Sequence, residues 1–502
     1  MNLWPPFSKK RRSKRVENDR ISKLPDALII QILSLLPTKD AFTTSILSKR
    51  WQYLWSSVDN LFIQCEDKSQ RENFISFVDY ALDNSTCSKI KKFHLDFTHL
   101  SKYESQLEFV DDELLFPISR WLSTAVKKNV ENVVLLSDSY NYESIDLPDT
   151  IYKCSTLITL YLTCCTFKEE FSIDWKFLKT LKLNDIKLND DIIVNILSGC
   201  PALEILEFSK FYGLRHLEIN SSNLKRLKFE DYLSYYDDSD DPSLDIIAPN
   251  IQHLEISEDM YDLKCRLVNV SSMVSAKLNF RMSCTSIAQG ASSATCPNEH
   301  QVIRKLIQDY LQKLSNATKL TIGTWYTEVL LMQFEEISLP ELKCKCLTLD
   351  LRITKFYFYG AAILLKATPH VETLNITMTT TLMDLRRCAF ELGCLAKEHD
   401  IHFLSSFNFP YLKNVKVFSS SKMCLKGNIE WDNDDLLKLS EFTLKNATVL
   451  EKFTIISKRK TCKICSMKCA SRYSLRLAEK LVGCSRSSTT CVIICQEGTF
   501  RY

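Results

Sequence analysis

Cys462, Cys465 and Cys469 place three thiols at C-x-x-C-x-x-x-C spacing in a lysine-rich run, and Cys484, Cys491 and Cys495 follow. Thiolates so spaced can hold zinc. The nearest histidine is His402, so a four-ligand site would need a fourth cysteine. A plainer reading puts the first three in a flexible basic loop and the later three in a helix and a strand, as small buried hydrophobes. Cys462, Cys465 and Cys469 are therefore weak candidates, and no metal is assigned. His399 and His402, three apart, are a weaker pair still.

Other chemistry is excluded more firmly. The chain has nine glycines, and the closest two, Gly199 and Gly213, are fourteen residues apart. Phosphate loops and dinucleotide fingerprints need glycines a few residues apart, so that backbone can approach phosphate. No G-x-S-x-G elbow occurs, and no nucleophile–base pair can be argued. No cofactor is expected.

Charge points the same way. The net charge is +3, but Lys9, Lys10, Arg11, Arg12, Lys14 and Arg15 supply six positive charges, which leaves −3 for the rest. A body of that sign is not built to coat a nucleic-acid backbone. The Lys9–Arg15 run reads as a disordered basic tail over residues 1–17 and as a nuclear import signal. The nucleus is the expected location, with the cytoplasm as a second one. No apolar run approaches the roughly 20 residues that cross a bilayer, so no membrane partner is expected. Twenty cysteines without a secretory signal suit a reducing compartment.

The elements that position side chains begin at Leu24. Leu28–Leu36 reads LIIQILSLL, seven apolar residues in nine. After Pro25, Asp26 favours the positive end of a helix start. Leu28, Ile32 and Leu35 make one stripe, and Ile29, Leu33 and Leu36 a second, about 100° round. Pro37 stops this helix, and Thr38 is expected to cap another with Ala41, Phe42, Ile46 and Leu47 on its apolar side. Trp51, Leu54 and Trp55 close the unit. Some forty residues cannot bury two stripes and two tryptophans alone. One stripe must pack on the following domain or dock onto a partner.

Leu24-Pro25, the Ile32/Leu35/Leu36 stripe and Ser48-Lys49-Arg50-Trp51 closely resemble an F-box over residues 18–60, in the form common in flowering plants. The resemblance implies docking onto a Skp-type adaptor and, through it, a cullin. It places Leu24, Pro25, Leu28, Ile32, Leu35, Leu36, Pro37 and Leu47 at the adaptor, with Arg50 and Trp51 supporting the closing helix.

Beyond it, one phrase recurs: apolar-x-x-apolar-x-apolar. It begins at Ile90, Val130, Leu157, Leu178, Leu203, Leu214, Leu224, Ile251, Cys344, Val371, Leu412 and Leu450, with a weaker copy at Ala317. Spacings of 21, 25 and 27 recur, 27 four times, which is the leucine-rich-repeat period. The expected fold is α/β: a small helical F-box, then over 61–400 an irregular leucine-rich-repeat solenoid, with short parallel strands on a concave face and helices or loops outside. Asp190–Gly199 reads as a returning helix. Two spacings, 11 and 10 around Leu214, are too short for a helical coil and predict tight turns. The 66 residues from Ile251 to Ala317 leave room for degenerate repeats or a loop. Outward positions on the strand face are Thr159, Tyr161, Lys182, Glu207, His216, Glu218, Arg226, Lys228, His253 and Glu255.

Residues 401–502 carry LKNATVLEKFTI (Leu444–Ile455) and LAEKLVGCSRSSTTCVII (Leu477–Ile494). They resemble the FBD region that follows the repeats in many plant F-box proteins, and read as an end cap. The whole reads as the substrate-recognition subunit of an SCF-type (Skp adaptor–cullin–F-box) ubiquitin ligase. It would recruit an unknown protein target and supply no catalytic group. The alternatives are a nuclear F-box scaffold without target turnover and a cysteine- or zinc-dependent enzyme.

Overall fold

The structure is a computed structural model. It describes residues 21, 23–65, 71–98, 115–137, 144–233, 242–260, 263–281, 296–331, 339–352, 357–379, 408–419, 435–458, 466 and 468–498. The basic run 9–15, His399, His402, Cys462 and Cys465 lie outside these residues. The chain forms two compact units, Met1–Thr159 and Leu160–Tyr502.

The first unit opens with helices α1 (Asp26–Leu33) and α2 (Thr38–Thr43), each entered through a proline. Strand β1 (Asn60–Gln64) follows, then helix α3 (Arg71–Asn84), strand β2 (Lys92–Asp96), helix α4 (Leu115–Lys127) and strand β3 (Asn132–Leu136). The three strands run parallel in the order β1-β2-β3, with Leu61↔Phe93 and Phe93↔Val133 in register. Parallel neighbours need a crossover, and here the crossovers are helical. Alternation along the strands sends Leu61, Ile63, Phe93, Leu95, Val133 and Leu135 into the core. On α3, Phe74 meets Trp121 of α4 edge to face at 6.1 Å. Trp121 Nε1 donates to Asp79 Oδ1 at 2.6 Å, so the buried indole keeps its hydrogen bond.

The second unit is built on a ladder of parallel strands. Thr180–Lys187, Ile205–Tyr212, Arg226–Tyr232, His253–Asp259, Ser275–Arg281, Lys319–Gly323, Cys346–Arg352 and Thr373–Thr379 pair in that order. Asn414–Ser419, Lys452–Lys458 and Val492–Gly498 continue it. The repeat phrase sets the register: Leu181, Leu206, Leu227 and Leu254 share one row and are all buried.

The irregular spacings have a structural cause that differs from the expected tight turns. The Leu214 copy is not a rung of the ladder. Its strand, His216–Glu218, pairs with Ser243–Ile247, which pairs with Lys264–Asn269, in a separate three-stranded parallel sheet. Three successive coils thus return through a strand. The neighbouring coil returns through the helix Asp190–Gly199, capped by Asn189, whose side chain accepts from Ile192 N at 2.8 Å. A strand covers length with fewer residues than a helix, because it rises about 3.3 Å per residue against 1.5 Å. In the long Ile251–Ala317 gap lies a full rung, Ser275–Arg281, which the phrase search missed because Ala276 stands where Leu is usual. Helix Cys296–Lys313 follows it, and Tyr310 of that helix donates to the carbonyl of Cys265.

Each of four neighbouring rungs carries a left-handed residue at its sixth position: Asp185, Lys210, Asp231 and Glu258, with φ between 50° and 63°. The neighbouring strands kink in step, since the register is the same before and after (Asn184↔Ser209, Ile186↔Phe211). After the kink Ile186, Phe211 and Tyr232 turn back into the core.

The C-terminal region, expected to cap the array, keeps the array's own geometry. Helices Asp435–Asn446 and Cys469–Val482 alternate with the last three strands.

Candidate protein-docking site

Helix α1 divides its apolar residues as two stripes. Ile29 and Leu33 are fully buried, whereas Leu28 and Ile32 are each 45% exposed and Leu35 is 82% exposed. Leu47 is 64% exposed and Ile46 79%. Leu24, Leu36 and Pro37 are half-buried, Pro25 is exposed, and Trp51 is buried. The structure thus leaves open most of the side chains at which the resemblance places the adaptor. Trp51, which the resemblance makes a support rather than a contact, is closed off from solvent.

Two expectations for this region change. Thr38 does not cap α2; it is the helix's first residue, is buried, and its Oγ1 accepts from Phe62 N at 2.8 Å. The hydroxyl fastens α2 to β1 instead. Helix α2 also ends at Thr43, before Ile46 and Leu47, and a short 3-10 turn over Thr44–Ile46 turns both outward. Sequence periodicity reads one unbroken helix with Ala41, Phe42, Ile46 and Leu47 on one apolar side; the break separates buried Ala41 from exposed Ile46 and Leu47. Ile21 and Tyr53, also exposed, were not singled out, since isolated apolar residues next to a turn carry no periodic signal.

The open stripe sits on a firm base. Arg50 Nε and a terminal guanidinium nitrogen donate to Asp26 Oδ1 at 2.8 and 2.6 Å, and the guanidinium also reaches the Leu24 carbonyl. This ties the turn before Trp51 to the start of α1. Below it, Phe42 meets Trp55 edge to face at 5.2 Å, and Trp55 stacks on Tyr80 at 5.7 Å. Arg50 thus orients the helix start, and the aromatics fix its depth.

In the second unit the open face of the strands is polar. Lys182, Glu207, Lys228, Glu255 and Lys277 occupy one row across five rungs. Lys182 pairs with Glu207 at 2.7 Å and Lys277 with Glu255 at 2.9 Å, while Lys228 pairs with Glu230 and lies 4.0 Å from Glu255. Burial alone would lower the Lys228 pKa, but Glu230, Glu255 and Glu207 around it raise it. His216 and Glu218 do not share this face; they belong to the side sheet, 3.8 Å apart.

Of the metal candidates only Cys469 is described, and it is buried at the first turn of its helix. Cys491 is also buried, and the Cys484 thiol donates to Glu441 Oε1 at 3.3 Å. Among the described residues no three His, Cys, Asp or Glu side chains gather as a metal would need, and no helix is long and apolar enough to cross a membrane.

Comparison with known families agrees with the helical unit and with the ladder. The F-box domain model matches residues 21–63, and the model "FBD-associated F-box protein At5g56370, LRR repeats" matches 118–280. F-box/LRR-repeat protein At5g02910 of Arabidopsis thaliana is 31% identical over 71% of this chain and 72% of its own length. The chain belongs to the plant F-box/LRR-repeat proteins. F-box/FBD/LRR-repeat protein At2g26030 of the same plant is 29% identical over 72% of this chain and 80% of its own. F-box/FBD/LRR-repeat protein At5g44980 is 25% identical over 95% of this chain and 99% of its own. In family terms the helices at 21–63 are the F-box, and the rungs of the ladder between Thr180 and Phe280 lie in the matched leucine-rich-repeat region.

Proposed function

We propose that this F-box/LRR-repeat protein is the substrate-recognition subunit of an SCF-type ubiquitin ligase. Its F-box docks on a Skp-type adaptor, which links it to a cullin, and the repeat unit holds a protein target. The observation that carries this reading is the split of α1: Ile29 and Leu33 are buried, and Leu28, Ile32 and Leu35, one helical stripe, stand open, as does Leu47. A contiguous exposed apolar patch marks a protein interface. The match to the F-box model adds to it, since F-boxes in general bind Skp-type adaptors. The chain supplies no catalytic group in this reading. It raises the effective concentration of the target beside the conjugating enzyme, and proximity alone speeds transfer. The Lys9–Arg15 run supports work in the nucleus.

The test is a tagged full chain expressed in plant cells and recovered under native conditions. The adaptor and the cullin should both come with it, and both should be lost from an Ile32→Asp/Leu35→Asp variant. Adaptor without cullin would replace the ligase reading with that of a scaffold. Neither partner with the folded wild-type chain would end both.

A further inference from the structure

The strand face of the second unit has one row that its neighbours leave uncompensated. Arg226, His253, Ser275 and Lys319 are consecutive in register. Both cations are exposed, and among the described residues neither has a carboxylate partner. Between them His253 Nδ1 and Ser275 Oγ share a hydrogen bond of 2.7 Å. Two residues along, the glutamates of the next row are neutralised by Lys182, Lys228 and Lys277. These side chains line a cavity of about 490 Å³, with Thr321 and Thr348 on its far wall. Its lining carries five Lys or Arg against two Glu, a net charge of +3 on a chain whose remainder beyond the basic tail is negative. The local field is registered by His253, whose pKa is lowered by burial and then by Arg226 and Lys319.

We propose that this row binds an extended acidic segment of the recruited protein, seating one carboxylate on Arg226 and one on Lys319. The proposal rests on the recruiting role above and names its ligand class. The spacing fits that ligand. Three strand steps of about 4.8 Å set the two cations about 14 Å apart, which an extended chain spans in about four residues at 3.3 Å each. Single carboxylates suit the site better than a phosphate dianion. A dianion is held where several guanidinium and ammonium groups converge, whereas here each cation stands alone with Glu207 and Glu255 nearby. Ser275 offers a hydroxyl group to the peptide between the two anchors, and Thr321 and Thr348 offer theirs at the Lys319 end.

The test uses the full chain and a fluorescein-labelled Gly/Ser/Thr peptide carrying two glutamates four residues apart, read by fluorescence anisotropy. Binding should be saturable, should weaken with salt, and should fall about tenfold or more when both glutamates are glutamine. Arg226→Glu/Lys319→Glu should abolish it. The milder Arg226→Gln/Lys319→Gln should weaken it with an unchanged melting curve, which separates lost contact from lost fold. No binding of the glutamate peptide, or binding untouched by the charge reversal, overturns the proposal. So does a phosphoserine version that binds about tenfold tighter, since that assigns the face to phosphate. Adaptor capture by the same preparation is scored separately, so a failed peptide site and a failed ligase role give different results.

Discussion

At the scale of single residues, the kinked rungs concentrate cost in a few side chains. Asp231 is half-buried in a left-handed conformation, with φ of 53°. Its carboxyl is pushed above the ordinary range, first by burial and then by Asp259 and Glu230. The Asp259 N–H that it accepts at 3.0 Å, and the Lys210 charge, act the other way. A carboxyl whose native pKa lies above its unfolded value contributes stability below the unfolded value. That contribution is lost as pH rises through the native value. Asp231 therefore costs stability at pH 7. Asp231→Asn keeps the acceptor, drops the charge and suits the left-handed backbone. It should raise the unfolding midpoint by about 1 °C at pH 7. The gain should shrink at a lower pH, as the native carboxyl takes up its proton. Thermal melts of both proteins at the two pH values check this; an equal gain at both would locate the effect in the backbone alone.

Among the elements, close approach decides what can be changed. Helices Thr324–Leu331 and Tyr357–Lys366 meet at Gly360, where an added Cβ would lie 2.0 Å from the Thr327 carbonyl oxygen. Gly360→Ala must push the helices apart, at a cost of about 1–3 kcal/mol. Chemical denaturation should show the loss, and an unchanged midpoint would mean that the helices are not held so tightly. The element scale is also where the sequence was most and least informative. All thirteen repeat phrases correspond to strands, because an apolar residue at every second inward position both writes the phrase and fills the core. The helix Asp190–Gly199 was legible from its cap, its periodicity and its terminal glycine. The side sheet was not: Ser243–Ile247 and Lys264–Asn269 alternate as the rungs do, and alternation does not say which sheet a strand joins; that pairing is set by the coils around them. At the F-box, the two stripes of α1 were legible, but which one faces outward was decided by tertiary packing: Ile29 and Leu33 are buried, the turn Leu54–Ser57 packs on α1, and the break after Thr43 exposes Ile46 and Leu47. Periodicity alone records that a face is apolar, not what covers it.

Taken as a whole molecule, the chain carries two open faces of opposite character. The F-box surface is apolar, with Leu28, Ile32, Leu35 and Leu47 exposed and Arg50 locking the helix start. On the repeat surface, among the described residues, the Lys182–Lys277 stretch is self-neutralised, whereas Arg226 and Lys319 are not. An apolar patch binds by desolvation and a charged face selects by complementarity. Such a division suits a protein that must hold one constant partner and discriminate among many others. The central claim is that the open face of α1 is an adaptor interface, and calorimetric titration of the purified full chain with a plant Skp-type adaptor tests it most directly. Wild type should bind one to one with a negative heat-capacity change. Ile32→Asp/Leu35→Asp should lose binding by about a hundredfold or more, through two buried charges, while melting like wild type, since both positions are exposed in the free chain. Equal affinity of the variant, or no binding by a folded wild-type chain, would contradict the account.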